Sequence, residues 1–140
     1  APKTYQAMAG LTNYYNSGHW SFIFVSYDEK RQTRVIEVAE NNQNRYTSYL
    51  KDKAIIIPDS VDEVFFRTQV RGLDYTYQYS FDGKSWLETG VKLDAMVLSD
   101  EYILSSYGGF FTGAFVGLAA VDYSGYEAKA EFDYFDYKEF

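Results

Sequence analysis

The 140-residue chain contains no cysteine, so neither a disulfide framework nor a thiolate metal site is open to it, and its compartment cannot be read from thiols. It has a single histidine, His19. A Ser-His-Asp triad or a histidine-rich metal site therefore cannot be assembled within it. Basic residues are outnumbered, 13 against 20 acids, for a net charge of −7. That balance opposes binding to phosphate backbones and to anionic membranes, and neither nucleic acid nor membrane is an expected partner. No apolar run approaches the about 20 residues of a membrane span. Ala1 to Thr4 lack the basic and apolar regions of a signal peptide, so secreted and cytoplasmic homes both stay open.

Helical periodicity is also missing. No segment sustains apolar spacing at three and four residues over ten or more positions, while strand signals recur throughout. A chain of this length forms one domain by default and buries roughly two thirds of the surface it would expose unfolded. Aromatic residues make up 20%, with 15 Tyr and 11 Phe, more than core filling needs. A tyrosine ring pairs a flat apolar face with a polar tip, which suits either a sheet surface or a sugar-stacking platform.

Trp20, Phe22 and Phe24 alternate with Ser21, Ile23 and Val25, and since both sets are largely apolar this strand is expected to be central and covered on both faces. Thr33 to Ala39 reads as the next strand after a polar turn, Asn41 to Lys53 as loop, and Ile55 to Ile57 as a short strand ended by Pro58. Val64, Phe66, Thr68 and Val70 share one face of a further strand, with Phe65, Arg67, Gln69 and Arg71 on the other. In Asp74 to Phe81, Tyr75, Tyr77, Tyr79 and Phe81 share a face. Asp82-Gly83 is a hairpin signal, because glycine accepts the positive φ of a tight turn, and the returning strand begins at Trp86 and Leu87. Two more strands are expected from Phe111 to Gly125 and from Ala130 to Tyr137, with Phe115 to Val121 mainly sheet core. Several short strands with frequent turns indicate an all-β sandwich or jelly roll.

The motifs Met8-Ala-Gly-Leu-Thr-Asn-Tyr-Tyr-Asn16, Tyr79-Ser-Phe-Asp-Gly83 with Trp86, Leu93-Asp-Ala95, Leu98-Ser-Asp-Glu-Tyr102, Phe111 to Gly125 and Ala130 to Tyr137 keep one order over nearly the whole chain. Their ordered set resembles the C-terminal, concanavalin A-like β-sandwich module of glycoside hydrolase family 43 β-xylosidases. The resemblance implies a single module over residues 1–140, opening without the strands that precede the family's Ala-Gly-Leu segment. It also implies a xylan or xylooligosaccharide context and a catalytic propeller as partner, because the family's catalytic carboxylates lie on a propeller that this chain does not include. No hydrolysis is expected of the chain alone, and no cofactor is required.

Site candidates follow. The resemblance places at Phe111, beside Phe110 and after Gly108-Gly109, a ring that reaches the propeller's pocket and helps close its aglycone side. The alternative is that Phe111 begins a buried strand. Trp20, Trp86 and the Tyr75, Tyr77, Tyr79 stripe are candidates for a sugar platform, although alternating aromatics equally suit a core-facing sheet. Tyr14, Tyr15, Asn16 and His19 sit near a strand end, where polar tips reach ligand or simply pack a loop. Glu131 to Asp136 superficially resembles the catalytic strand of laminarinase-type sandwich hydrolases, with Glu131 and Asp133 on one face. Its last acid is Asp136 rather than Glu, and the xylosidase module fits the segment better. An oxygen-only calcium site stays open at Asp133 and Asp122, with Asp94 and Asp100 also near turns. Solvated turn acids are the ordinary reading there, and no calcium-loop spacing is visible.

Overall fold

The computed structural model describes residues 2–107 and 113–139. Among these described residues, nine strands form two antiparallel sheets: β1 (Ala7–Asn16), β2 (His19–Asp28), β3 (Thr33–Asn42), β4 (Arg45–Ser48), β5 (Ile55–Ile56), β6 (Phe65–Arg71), β7 (Asp74–Ser80), β8 (Leu87–Asp94) and β9 (Phe115–Asp122). The larger sheet runs β4-β3-β2-β1-β9, with β5 also paired to β3, and the smaller runs β6-β7-β8. A two-sheet sandwich is thus what the alternating patterns built.

The core lies between the sheets. Leu11, Ile23, Ile36 and Val38 from the large sheet meet Tyr75, Tyr77, Tyr79, Val91 and Leu93 from the small one. Each such side chain contributes on the order of 1.5–3 kcal/mol relative to staying in water. Across this apolar layer runs one polar bridge. The Tyr77 hydroxyl receives Asn13 Nδ2 at 2.8 Å and lies 2.6 Å from Ser21 Oγ, and Asn13 Nδ2 also donates to Thr68 Oγ1 at 3.1 Å. Buried hydroxyls and amides need such partners, so the bridge ties the pitch of β1 and β2 to that of β6 and β7.

The other face of the large sheet carries a second, smaller cluster of Phe22, Phe24 and Ala39, with Met8, Trp20 and Ala119 packed against it. This is why β2 is apolar on both faces, and it lies at the centre of its sheet as its pattern implies. Gly10 allows β1 to come close to β2. A Cβ there would lie 2.0 Å from the Ile23 carbonyl oxygen and 2.7 Å from Phe24 Cα.

Several expectations need correction. The stretch from Asn41 to Lys53 is not loop: it holds the end of β3, the four residues of β4 and a 3-10 turn at Lys51–Lys53. Glu37 organises that turn, its carboxylate accepting from the backbone nitrogens of Leu50 and Lys51 at 2.8 and 2.9 Å. Among the described residues there is one α-helix, α1 (Asp100–Tyr107). Ser99 Oγ accepts from Tyr102 N at its start, and Asp100 and Glu101 complement the dipole of its first turn. Eight residues are too few for a helical period to show in sequence.

The connection after β7 is longer than a two-residue turn. Asp82 Oδ1 accepts from Lys84 N and Ser85 N, Gly83 takes φ +69°, and β8 starts at Leu87. β9 is an edge strand rather than core, with Phe115 62% and Leu118 42% exposed. Residues 130–137 form no strand. After β9, Asp122 accepts from Ser124 N and Ala128 N, and Gly125 and Glu127 take φ of 74° and 54°, which turns the chain out of the ladder. The segment then lies exposed, with the Tyr134 ring 6.4 Å from Phe65.

Candidate functional site

The sequence candidates fall on different surfaces. Tyr75, Tyr77 and Tyr79 face the core at 1%, 0% and 9% exposure, which leaves no ring face for a sugar. Burial pushes the Tyr75 and Tyr77 phenols well above the usual range, so they stay neutral. Trp86 lies against β6, with the Arg67 guanidinium 3.8 Å from its ring centroid. Arg67 also donates to Gln78 and lies on the outward face of the small sheet, since its neighbours Phe66 and Thr68 point inward. Trp20 is on the opposite side of the molecule, against the outer cluster of the large sheet. The two tryptophans therefore make no common platform.

Around the β1–β2 turn, Asn16 Oδ1 accepts from Gly18 N at 3.0 Å and lies 3.0 Å from His19 Nδ1. Asn16 thus shapes the turn. Tyr15 is buried and its hydroxyl donates to Asp100 Oδ1, fastening β1 to the first turn of α1. His19 is buried beside Tyr102, their rings edge to face at 6.4 Å, and burial lowers its pKa. Tyr14 differs from these in being 41% exposed on the outer face.

Two concavities flank this end. One is a polar cleft of about 380 Å³ lined by Glu40, Asn42, Gln43, Arg45, Thr47 and Tyr102. Tyr102 donates to Asn42 Oδ1 at 3.2 Å, and Tyr49 donates to Glu40 Oε1 at 2.9 Å. Burial raises the Glu40 carboxyl above its ordinary value, partly offset by the Tyr49 bond, and the Tyr49 phenol is pushed up to about 12. The other is a groove of about 810 Å³ over the outer face of the large sheet, where Tyr14, Trp20 and Tyr46 meet Phe22 and Phe24. Tyr46 and Trp20 contact edge to face, 6.1 Å between centroids. Sequence reasoning missed Tyr46 because its segment read as loop.

Phe110 and Phe111 lie outside the described residues. The acids offer no assembled chemistry: Asp122 is engaged by Ser124 and Ala128, Asp133 and Glu131 are exposed, and Asp136 pairs with Lys138 at 3.2 Å. Among the described residues no three His, Cys, Asp or Glu side chains gather as a metal site. Among them, too, no helix is long and apolar enough to cross a membrane.

The antiparallel two-sheet sandwich is the architecture of a concanavalin A-like module. Residues 1–138 match the family model described as the β-xylosidase C-terminal concanavalin A-like domain, and the chain belongs to that family, the C-terminal module of glycoside hydrolase family 43. It is 40% identical over 138 residues to a β-xylosidase of Bacillus subtilis, covering 99% of this chain and 25% of that protein. It is 37% identical to a xylan 1,3-β-xylosidase of a Vibrio species, again over 99% of this chain and 25% of the relative. The chain thus spans about a quarter of the length of these relatives. In structure it is similar to the xylan β-1,4-xylosidase of Bacillus halodurans, with TM-score 0.79 at 24% identity over 89% of this chain and 23% of that one. That likeness shows the fold.

Proposed function

We propose that the module is a non-catalytic accessory domain of a xylan-degrading family 43 enzyme, packing on a catalytic propeller and lending Phe111 to the edge of its sugar pocket. The match of residues 1–138 to the family's C-terminal module, at a quarter of the length of the β-xylosidases it resembles, carries this reading. Glycoside hydrolysis needs two carboxylates held at a set separation across the scissile bond. Supporting a companion role, Glu131 and Asp133 sit in an exposed stretch with no strand ladder to hold them. A ring at Phe111 acts by stacking on a sugar face and excluding water from the pocket.

The test uses the full-length enzyme that carries this module. Phe111→Ala is expected to lower kcat/KM for xylobiose by about tenfold or more, equivalent to about 1.4 kcal/mol of transition-state stabilisation. Kinetics unchanged by that substitution would remove Phe111 from the pocket.

A further inference from the structure

The registers of the large sheet place five residues in one transverse row. Phe115 pairs with Tyr14, Tyr14 with Trp20, Trp20 with Asn41 and Asn41 with Tyr46. Directly opposed residues point to the same face, so the row crosses β9, β1, β2, β3 and β4 on the outer side, where Tyr14, Trp20 and Tyr46 line the groove. Strands lie about 4.8 Å apart, so four spacings make the row about 19 Å long, the length of several pyranose rings in line.

We propose that this row is a binding track for a neutral, linear β-1,4-linked pentopyranose chain, the chemistry of xylan. Three features select that occupant. First, the rings are available: Phe115 is 62%, Tyr46 56% and Tyr14 41% exposed, and Trp20 keeps its indole Nε1 on the Ser17 carbonyl at 3.2 Å while its ring stays in the groove. Apolar sugar faces stack on such rings, and exposed ones so aligned are unusual on a soluble surface. Second, the charge fits. The row holds no acid or basic side chain, and a chain of net charge −7 repels an anionic polymer, which leaves an uncharged glycan as the matched ligand. Third, Asn41 sets a neutral amide between Trp20 and Tyr46, its Oδ1 buried and its Nδ2 donating at 3.4 Å to the Ser17 carbonyl that also holds the Trp20 indole, so the spacer between the rings is fixed in place and carries no charge.

The track lies apart from the pocket-edge role of Phe111. The assignment to pentose rather than hexose rests on the proposed xylan context, so a hexose arm separates the two. The experiment is affinity electrophoresis of the 140-residue chain through gels containing xylan, with titration calorimetry using xylohexaose and cellohexaose. Retardation by xylan and a xylohexaose Kd of about 1 mM or tighter are expected. Trp20→Ala and Tyr46→Ala should each weaken binding by about fivefold or more, whereas Trp86→Ala on the opposite face leaves it unchanged. Tyr46 is largely exposed, so its variant keeps the fold even if Trp20→Ala loosens the outer cluster; a far-UV spectrum and melting curve check both. No retardation, as would follow if this face were covered by another protein surface, overturns the proposal. So does binding that survives Tyr46→Ala, or cellohexaose binding as tight as xylohexaose.

Discussion

Tyr77→Phe tests whether the polar bridge between the sheets stabilises the fold. The substitution keeps the ring in its fully buried site and deletes only the hydroxyl. Two contacts are lost, to Asn13 at 2.8 Å and to Ser21 at 2.6 Å. Asn13 retains Thr68, so its loss is about 1 kcal/mol, the net worth of one ordinary hydrogen bond. Ser21 is fully buried, and its hydroxyl is left without its Tyr77 partner, which costs about 1–3 kcal/mol in unrecovered desolvation. The sum is about 3 kcal/mol. With a urea m-value of about 2 kcal/mol/M, the midpoint of unfolding followed by tryptophan fluorescence should fall by about 1.5 M at unchanged slope. Adding Ser21→Ala to Tyr77→Phe should then cost little more, because both ends of the contact are apolar, giving a coupling above about 1 kcal/mol in the double-mutant cycle. A Tyr77→Phe change within about 0.5 kcal/mol of the parent would refute the bridge as a stabilising element.

Gly10→Ala places a methyl carbon 2.0 Å from the Ile23 carbonyl oxygen, and since the obstacle is backbone inside a ladder, strands β1 and β2 must separate. A loss of about 3 kcal/mol or more is expected in chemical unfolding; a melting temperature within a degree or two of the parent would contradict that close approach. Glu40 supplies a pH signature. Its folded pKa is raised by burial, so its stability contribution is complete below the ordinary glutamate value and is lost as pH rises through the folded one. Glu40→Gln, compared with the parent in unfolding titrations from about pH 4 upward, should therefore gain relative stability as pH rises. A gap that is constant with pH, or that narrows from a Gln advantage at low pH, would contradict the assignment.

What was legible in the sequence follows the reach of the interaction that forms each element. β2 and β7 show themselves locally, because alternation along ten or seven residues already encodes which side is covered, and the Tyr75, Tyr77, Tyr79 stripe was readable as either core or platform. Only the partner sheet decides that choice, and its Asn13 and Ser21 are what meet the Tyr77 hydroxyl. β4 escaped because Arg45–Ser48 has no apolar alternation; it is a strand by virtue of the β3 edge that it pairs with. The same dependence, in reverse, explains residues 130–137, whose alternating aromatics satisfy the local pattern while the turn at Asp122 and Gly125 carries them away from a ladder.

The row from Phe115 to Tyr46 is the extreme case of such dependence. Its members are 5 to 101 positions apart by their numbers in the chain, and no short window of sequence contains them together. Trp20 and Tyr14 could be singled out as exposed-aromatic candidates, but their alignment with Phe115, Asn41 and Tyr46 follows from four registers set by hydrogen bonding between strands. Register is in turn pinned by the faces that must be buried, since a slip of one residue would move Ile23 and Leu11 out of the core and Phe22 into it. The surface row is therefore held in line by the same constraint that builds the interior. A substitution that forces β1 and β2 apart, as Gly10→Ala does, should scatter the row even though it touches none of its five side chains.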